Sequence, residues 1–222
     1  MNATLIGRQQ ILSKVRAATQ PNGNASELYA SLPRPYIRRG SLSTQACLEL
    51  FVERLLEYDA EVVDARPEEL PVAILSQLAA SGKRRFVAPP GIPPSWLLPA
   101  AWKIGGFEWN IDHELTTGEI ERAEGVLTAA FCGVADSGTI VLHHSPAEGR
   151  RVLTLLPDWH LCILRASQVV ETLPEYFDRC EKPPALATYI SGPSATADIE
   201  MTRIKGVHGP RFLHVILVRD EI

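Results

Sequence analysis

The stretch Ala187-Thr188-Tyr189-Ile190-Ser191-Gly192-Pro193-Ser194-Ala195-Thr196-Ala197-Asp198-Ile199-Glu200, followed by Gly206-Val207-His208-Gly209-Pro210 and then the apolar run from Phe212 to Val218, decides how this chain is read. Two strand-like runs, Ala187 to Ile190 and Phe212 to Val218, bracket a segment rich in glycine, proline, hydroxyls and carboxylates. A polar loop between buried strands is where an α/β protein usually holds a ligand. A helix opening near Thr196 would add free backbone N–H groups that favour an anion. The same residues also fit a tight turn with an ordinary helix cap and no ligand.

Working back from that stretch, strands and helices alternate. Apolar spacing predicts a helix from Ser41 or Ser43 through Tyr58, with Cys47, Leu50, Phe51, Leu55 and Tyr58 on one face. Ala60 to Val63 reads as a strand. The next helix opens at Pro67, carries Leu70, Ile74, Leu75 and Leu78, and stops at Gly82. Arg85 to Ala88 is the following strand. This rhythm is that of a largely parallel sheet covered on both faces. Trp96 sits in a short helix, Phe107 to Ile111 is a strand, and Thr116 or Thr117 caps one or two helical turns. Gly125 to Val134 and Gly138 to His143 are apolar runs joined like a hairpin at Ala135-Asp136-Ser137. Leu161 to Arg165 is a further strand, and Ser167 caps a helix bearing Val169, Val170, Leu173, Tyr176 and Phe177. At the front, residues 3 to 19 form an amphipathic helix, and residues 20 to 40, with Pro21, Pro33 and Pro35, form a connecting arm.

The 222 residues are 45% hydrophobic and 22% charged, which permits one sizeable core. A net charge of −4 with scattered basic residues gives no nucleic-acid face, and Lys83-Arg84-Arg85 reads as a solvated strand entrance. No apolar run is long enough for a bilayer, and the first residues lack a signal-peptide core. Cys47, Cys132, Cys162 and Cys180 form no C-x-x-C pair, which argues against a zinc ribbon or a cysteine-ligated iron–sulfur cluster and suits a reducing cytoplasm.

Candidate chemistry gathers in two places. Asp136-Ser137-Gly138-Thr139 offers a carboxylate and two hydroxyls around a glycine, either as a self-bonded turn or as the mouth of a cleft. The later loop offers Ser191, Gly192, Ser194, Thr196, Asp198, Glu200, His208 and Gly209. His208 is the histidine with the best access, being near glycines on both sides. The adjacent His143 and His144 would face opposite sides of a strand and cannot easily share a metal. No H-E-x-x-H set, G-x-S-x-G elbow or phosphate-binding P-loop is present.

Four ordered motifs support a resemblance. They are Gly125-Val126 with Gly133 through Leu142, Leu156-Pro157-Asp158-Trp159-His160, Ile190 through Glu200, and Gly206 through Pro210 with Leu213 through Leu217. Together they resemble the LutC/YkgG family, the LUD domain of lactate utilisation proteins, over about residues 85–220. The resemblance implies an α/β fold, a three-layer α/β/α domain similar to the NagB/RpiA/CoA-transferase group, with residues 1–40 as an N-terminal helix and arm and 41–222 as the domain. It implies a non-redox subunit in the oxidation of L-lactate to pyruvate, with no cofactor in this chain and the iron–sulfur clusters in partner proteins. The twelve positions named above then stand as candidates for binding a small organic anion; no catalytic residue carries over. Two alternatives stay open. One, from fold analogy, is a stand-alone enzyme acting on an acyl-CoA, a sugar phosphate or, like formyltetrahydrofolate cyclo-ligase, a folate derivative. The other is an assembly protein whose N-terminal helix docks a partner.

Overall fold

The structure is a computed structural model that describes residues 3–19, 24–97, 105–182, 184–196, 204–205 and 209–220. The chain divides into two compact units, Met1–Tyr36 and Ile37–Ile222. The first holds α1 (Ala3–Ala18) and α2 (Ala25–Ser31). The second helix lies inside the stretch expected to be a plain arm. The Asn24 side chain caps it by accepting from the Ser26 N–H, and it buries no residue, so apolar periodicity gave no sign of it.

In the second unit, α3 (Thr44–Glu57) starts at Ser43, whose hydroxyl accepts from Ala46 N–H. After it come β1 (Glu61–Ala65), α4 (Leu70–Ala80), β2 (Arg85–Ala88), α5 (Pro94–Leu97) and β3 (Glu108–Ile111). Next are α6 (Thr117–Glu121), β4 (Gly125–Ala129), β5 (Cys132–Val134) and β6 (Thr139–Leu142). A 3₁₀ turn, Arg151–Thr154, leads to β7 (Trp159–Arg165), and a second, Ala166–Gln168, leads on to β8 (Val169–Val170). The chain then runs through α7 (Leu173–Asp178), β9 (Thr188–Ile190), β10 (Ala195–Thr196), β11 (Ile204–Lys205) and β12 (Phe212–Val218).

Six strands form a sheet in the order β1-β12-β7-β4-β2-β3, and every pairing in it is parallel. A second sheet has the order β8-β5-β6-β9, and β10 pairs antiparallel with β11. Pairing register fixes which side chains share a face. On one face Phe86, Leu127, Leu161, Ile163 and Ile216 meet Leu70, Ile74 and Leu78 of α4 and Leu97 of α5. On the other, Cys162, Leu164, Leu213, Val215 and Leu217 meet Cys47, Leu48, Phe51 and Leu55 of α3 together with Ile140 and Leu142 of the second sheet. The four-stranded sheet thus shares one outer layer with α3, an addition to the three layers expected. Tyr176 of α7 packs on the far side of that sheet with Cys132, Val134 and Val141.

Three local expectations are corrected. The run Gly125 to Val134 is two strands, because the chain leaves the large sheet after Ala129 and joins the second at Cys132. Ser167 caps no helix. Its N–H and hydroxyl both bond Asp220, and α7 starts later, at Thr172, in a reciprocal cap with Glu175. Thr196 opens no helix, since Ala195 and Thr196 pair as a strand with Lys205 and Ile204. The anion argument from a helix start at Thr196 therefore falls.

A candidate anion site at the amino ends of the central strands

From β2 to β3 the sheet grows one way, and from β4 through β7 to β12 it grows the other, so β2 and β4 flank the reversal. Ligands usually sit outside the carboxyl ends at such a point. Here the chain's own loop fills that position. Gly91 N–H donates to Pro146 carbonyl, Ala129 N–H donates to Ala147 carbonyl, and the Arg150 guanidinium grips Asp112 with 2.8 and 2.6 Å hydrogen bonds. A Cβ on Gly91 would lie 2.4 Å from the Pro146 carbonyl carbon. The usual place for a ligand, outside the carboxyl ends, is thus taken up by the protein's own loop.

The open space is elsewhere. A cavity of about 260 Å³ lies beside the first residues of β7 and β12, where it meets His160 and Leu213. Its remaining wall comes from Arg151 and Thr154 of the 3₁₀ turn, from β9, and from the loop Ser191 to Ala195 with Gly209 and Pro210. Of the residues singled out from sequence, Ser191, Gly192, Ser194 and Gly209 line it. Ser194 N–H donates to Pro210 carbonyl at 2.8 Å, so the two arms of the opening stretch are stitched across the cavity wall. The backbone of Thr196 begins the β10–β11 hairpin. Asp198, Glu200 and His208 lie outside the described residues.

Asp136, Ser137, Gly138 and Thr139 are not among the lining residues. Their place is behind the wall. Ser137, Thr139 and Ser191 form a chain of hydroxyls, with both oxygen–oxygen distances 2.7 Å. Gly138, at φ 58°, sits where a Cβ would strike Arg54, and Gly192, at φ 81°, where it would strike Tyr58. Both glycines let their turns press onto the end of α3.

Among the other lining residues, His160, Arg151, Thr154 and Thr188 bring polar side chains that were not singled out from sequence as site candidates. His160 is 1% exposed, and its Nε2 is 2.8 Å from the Thr128 hydroxyl on β4. Burial lowers its pKa to about 4, so the ring is neutral near pH 7. Arg151 Nη1 donates to the Thr188 hydroxyl at 3.4 Å. His144 Nδ1 faces the Gly149 carbonyl and so carries a proton, which leaves Nε2 to accept from Thr188. His143, meanwhile, stacks on Phe131 and bonds Tyr176, whose hydroxyl accepts from Tyr189. The neighbouring histidines thus follow β6 in a loop and steady Thr188 and Tyr189 of β9. Asp158 fastens the rim: Arg211 holds it bidentately, Lys83 lies 3.7 Å away, and Arg211 depresses its pKa.

Among the described residues no three His, Cys, Asp or Glu side chains are grouped as metal ligands, and no helix is long and apolar enough to cross a membrane. Burial pushes the Cys47 thiol up to about 11 and those of Cys132 and Cys162 up to about 12, so all three are protonated core residues.

Residues 48–218 match the model of the LUD domain. The chain is 38% identical to lactate utilization protein C of Deinococcus radiodurans over 190 residues, covering 83% of this chain and 85% of that one. It is 28% identical to lactate utilization protein C of Bacillus pumilus across the full length of both. The crystal structure of a DUF162 family protein from Deinococcus radiodurans superposes with a TM-score of 0.65 and 34% identity, over 80% of this chain and 99% of that one. With the domain model spanning most of its length, this chain belongs to the LUD domain family.

Proposed function

We propose that this chain serves lactate utilisation as a non-redox subunit, and that the cavity walled by Arg151, His160 and the Ser191–Ala195 loop binds a small organic anion. The kinship with proteins named lactate utilization protein C supports the first part. The observation that carries the second is the cavity itself, where a guanidinium, a neutral imidazole and several hydroxyls meet beside a glycine-bearing loop. A guanidinium on a wall of neutral dipoles favours a carboxylate without burying an unpaired charge. In this reading the electrons of lactate oxidation pass through iron–sulfur partner proteins in the cytoplasm, and this chain holds the acid or steadies the assembly.

Two measurements test it. Deleting the gene should abolish growth on L-lactate as sole carbon source while sparing growth on glucose; normal growth on lactate would refute the role. Millimolar L-lactate or pyruvate should raise the melting temperature of the purified chain by mass action. Arg151→Gln should remove that rise, and an equal rise in the variant would place the anion elsewhere.

A further inference from the structure

We infer that Thr188 and His144 form a nucleophile–base pair at this cavity, so that the site cleaves esters or thioesters of short carboxylic acids, the acyl group passing through the Thr188 hydroxyl oxygen to water. This rests on the reading of the cavity as an anion site, because the acid set free is the anion that Arg151 would hold.

Thr188 opens β9 and lines the cavity. Strand alternation puts its side chain on the same face as Ile190, which packs against the core shared by the two sheets, while Tyr189 turns the other way to Tyr176. The Thr188 hydroxyl oxygen lies 2.8 Å from His144 Nε2 and 3.4 Å from Arg151 Nη1. Behind the ring, His144 Nδ1 donates to the Gly149 carbonyl at 2.8 Å, which fixes the neutral tautomer with its lone pair on Nε2. An alcohol that donates to an imidazole, itself oriented by a third group, is an activated nucleophile. His144 is not among the lining residues, so the base sits behind the nucleophile and leaves its open side clear. The ring reaches this place because His144 holds φ 57°, a left-handed conformation uncommon outside glycine. Such strain persists only where the surroundings impose it, and it gathers at active sites. A strap that merely tied β9 to the loop 143–150 would need neither a cation beside the same oxygen nor open space in front of it.

The chemistry balances with water as the second reactant. Thr188 Oγ1 attacks the acyl carbon as its proton passes to His144 Nε2. The bond from that carbon to the leaving oxygen or sulfur breaks, and the leaving group takes the proton from Nε2 and departs as an alcohol or thiol. Water then attacks acyl-Thr188 in the same way, restoring the hydroxyl and releasing the acid, with no change of oxidation state. The Arg151 guanidinium is placed to oppose the negative charge that grows on the carbonyl oxygen in both steps. A space of about 260 Å³ is small for a ligand pocket and suits a short acyl chain.

The test is p-nitrophenyl acetate with the purified chain, followed by p-nitrophenol release and by peptide mass. The expected result is a burst of about one p-nitrophenol per chain and an acetyl group on the peptide that carries Thr188. Thr188→Val, which keeps the shape, should abolish both, and Thr188→Ser, which keeps the alcohol, should retain them. His144→Asn suits the same left-handed backbone and removes the base, so it should slow acylation about a hundredfold or more, the usual contribution of general-base catalysis. Wild-type release no faster than in buffer, acetylation confined to lysines, or a Thr188→Val chain as reactive as wild type overturns the inference. If the melting temperature of the wild-type chain still rises with pyruvate, the anion site stands without the chemistry; if it does not rise and Thr188 is not acylated, both readings fall.

Discussion

The two ends of the six-stranded sheet have been put to opposite uses. At the carboxyl ends of β2, β3 and β4 the loop 145–150 is bonded into the sheet through Gly91, Ala129 and Asp112. At the amino ends of β7 and β12 a cavity of about 260 Å³ stays open between β9 and the 191–195 loop. The difference lies in what the polar groups meet. Asp112 is buried with both oxygens taken by Arg150 and a backbone N–H from Leu115, while Arg151, Thr188 and Ser191 border open space. A closed, paired end is structural, and an open end lined by polar groups has room for a ligand.

The largest expected effect tests the closed end. Arg150→Met would leave the Asp112 carboxylate buried without its counter-ion, since its side chain is 2% exposed and Arg150 is what holds its pKa down. Breaking one partner of a buried pair costs about 3–5 kcal/mol, and the half-exposed guanidinium brings the expectation to about 2–4 kcal/mol. Urea denaturation at pH 7 measures it. A loss under about 0.5 kcal/mol, the scale of ordinary surface changes, would mean that the loop 145–150 does not depend on this pair.

The open end should show itself through pH. An unfolded histidine titrates near 6.5, whereas folded His160 resists protonation down to about 4. Between those values the unfolded chain binds the extra proton, so folding stability is full above about pH 6.5 and falls as the pH drops toward 4. The lowered pKa of His143 and His214, also from burial, acts in the same sense. From His160 alone the loss is about 3 kcal/mol on acidification through that window. Denaturation curves at pH 7, 6, 5 and 4 should therefore slope less steeply for His160→Gln than for the wild-type chain. Parallel slopes would mean that the ring is solvated and not part of a dry floor.

Gly192→Ala sharpens the comparison at the hinge between cavity and core. Its φ of 81° and the Tyr58 side chain 2.5 Å from a built Cβ both oppose the new methyl. A loss of about 1–3 kcal/mol is expected, from strain and overpacking together. A neutral outcome would show that the 191–195 loop does not need to lie against α3.

These particulars also explain what the sequence discloses. The alternation from Phe51 through Val87 is legible because core positions follow helical and strand periods, and the large parallel sheet follows from it. The Ser191–Pro193 turn is legible because glycine and proline mark it, and it does line the cavity. His160 and Arg151 are illegible as neighbours of that turn. Their meeting depends on β7 pairing with β12 and on the 3₁₀ turn Arg151–Thr154 folding back over the sheet, long-range facts with no local pattern. The end of the sheet that stays open is equally hidden, because the plug at the other end is an unremarkable Ser145-Pro146-Ala147 loop. α2 is missed for a simpler reason: seven residues with no buried face carry no period.

The smallest expected effect separates the wall of the cavity from its support. Thr139 is 6% exposed, and its hydroxyl bridges Ser137 and Ser191 without reaching the lining. Thr139→Val keeps the shape and removes the bridge, leaving two hydroxyls that can turn to other partners. The expected cost is about 1 kcal/mol, or a fall of about 2–4 °C in melting temperature for a chain of this length. Because Ser191 remains in the wall, affinity for lactate or pyruvate should change less than threefold. A variant with wild-type stability and no ligand binding would reverse the assignment, moving the Asp136–Thr139 turn from the support into the site and the anion toward the second sheet.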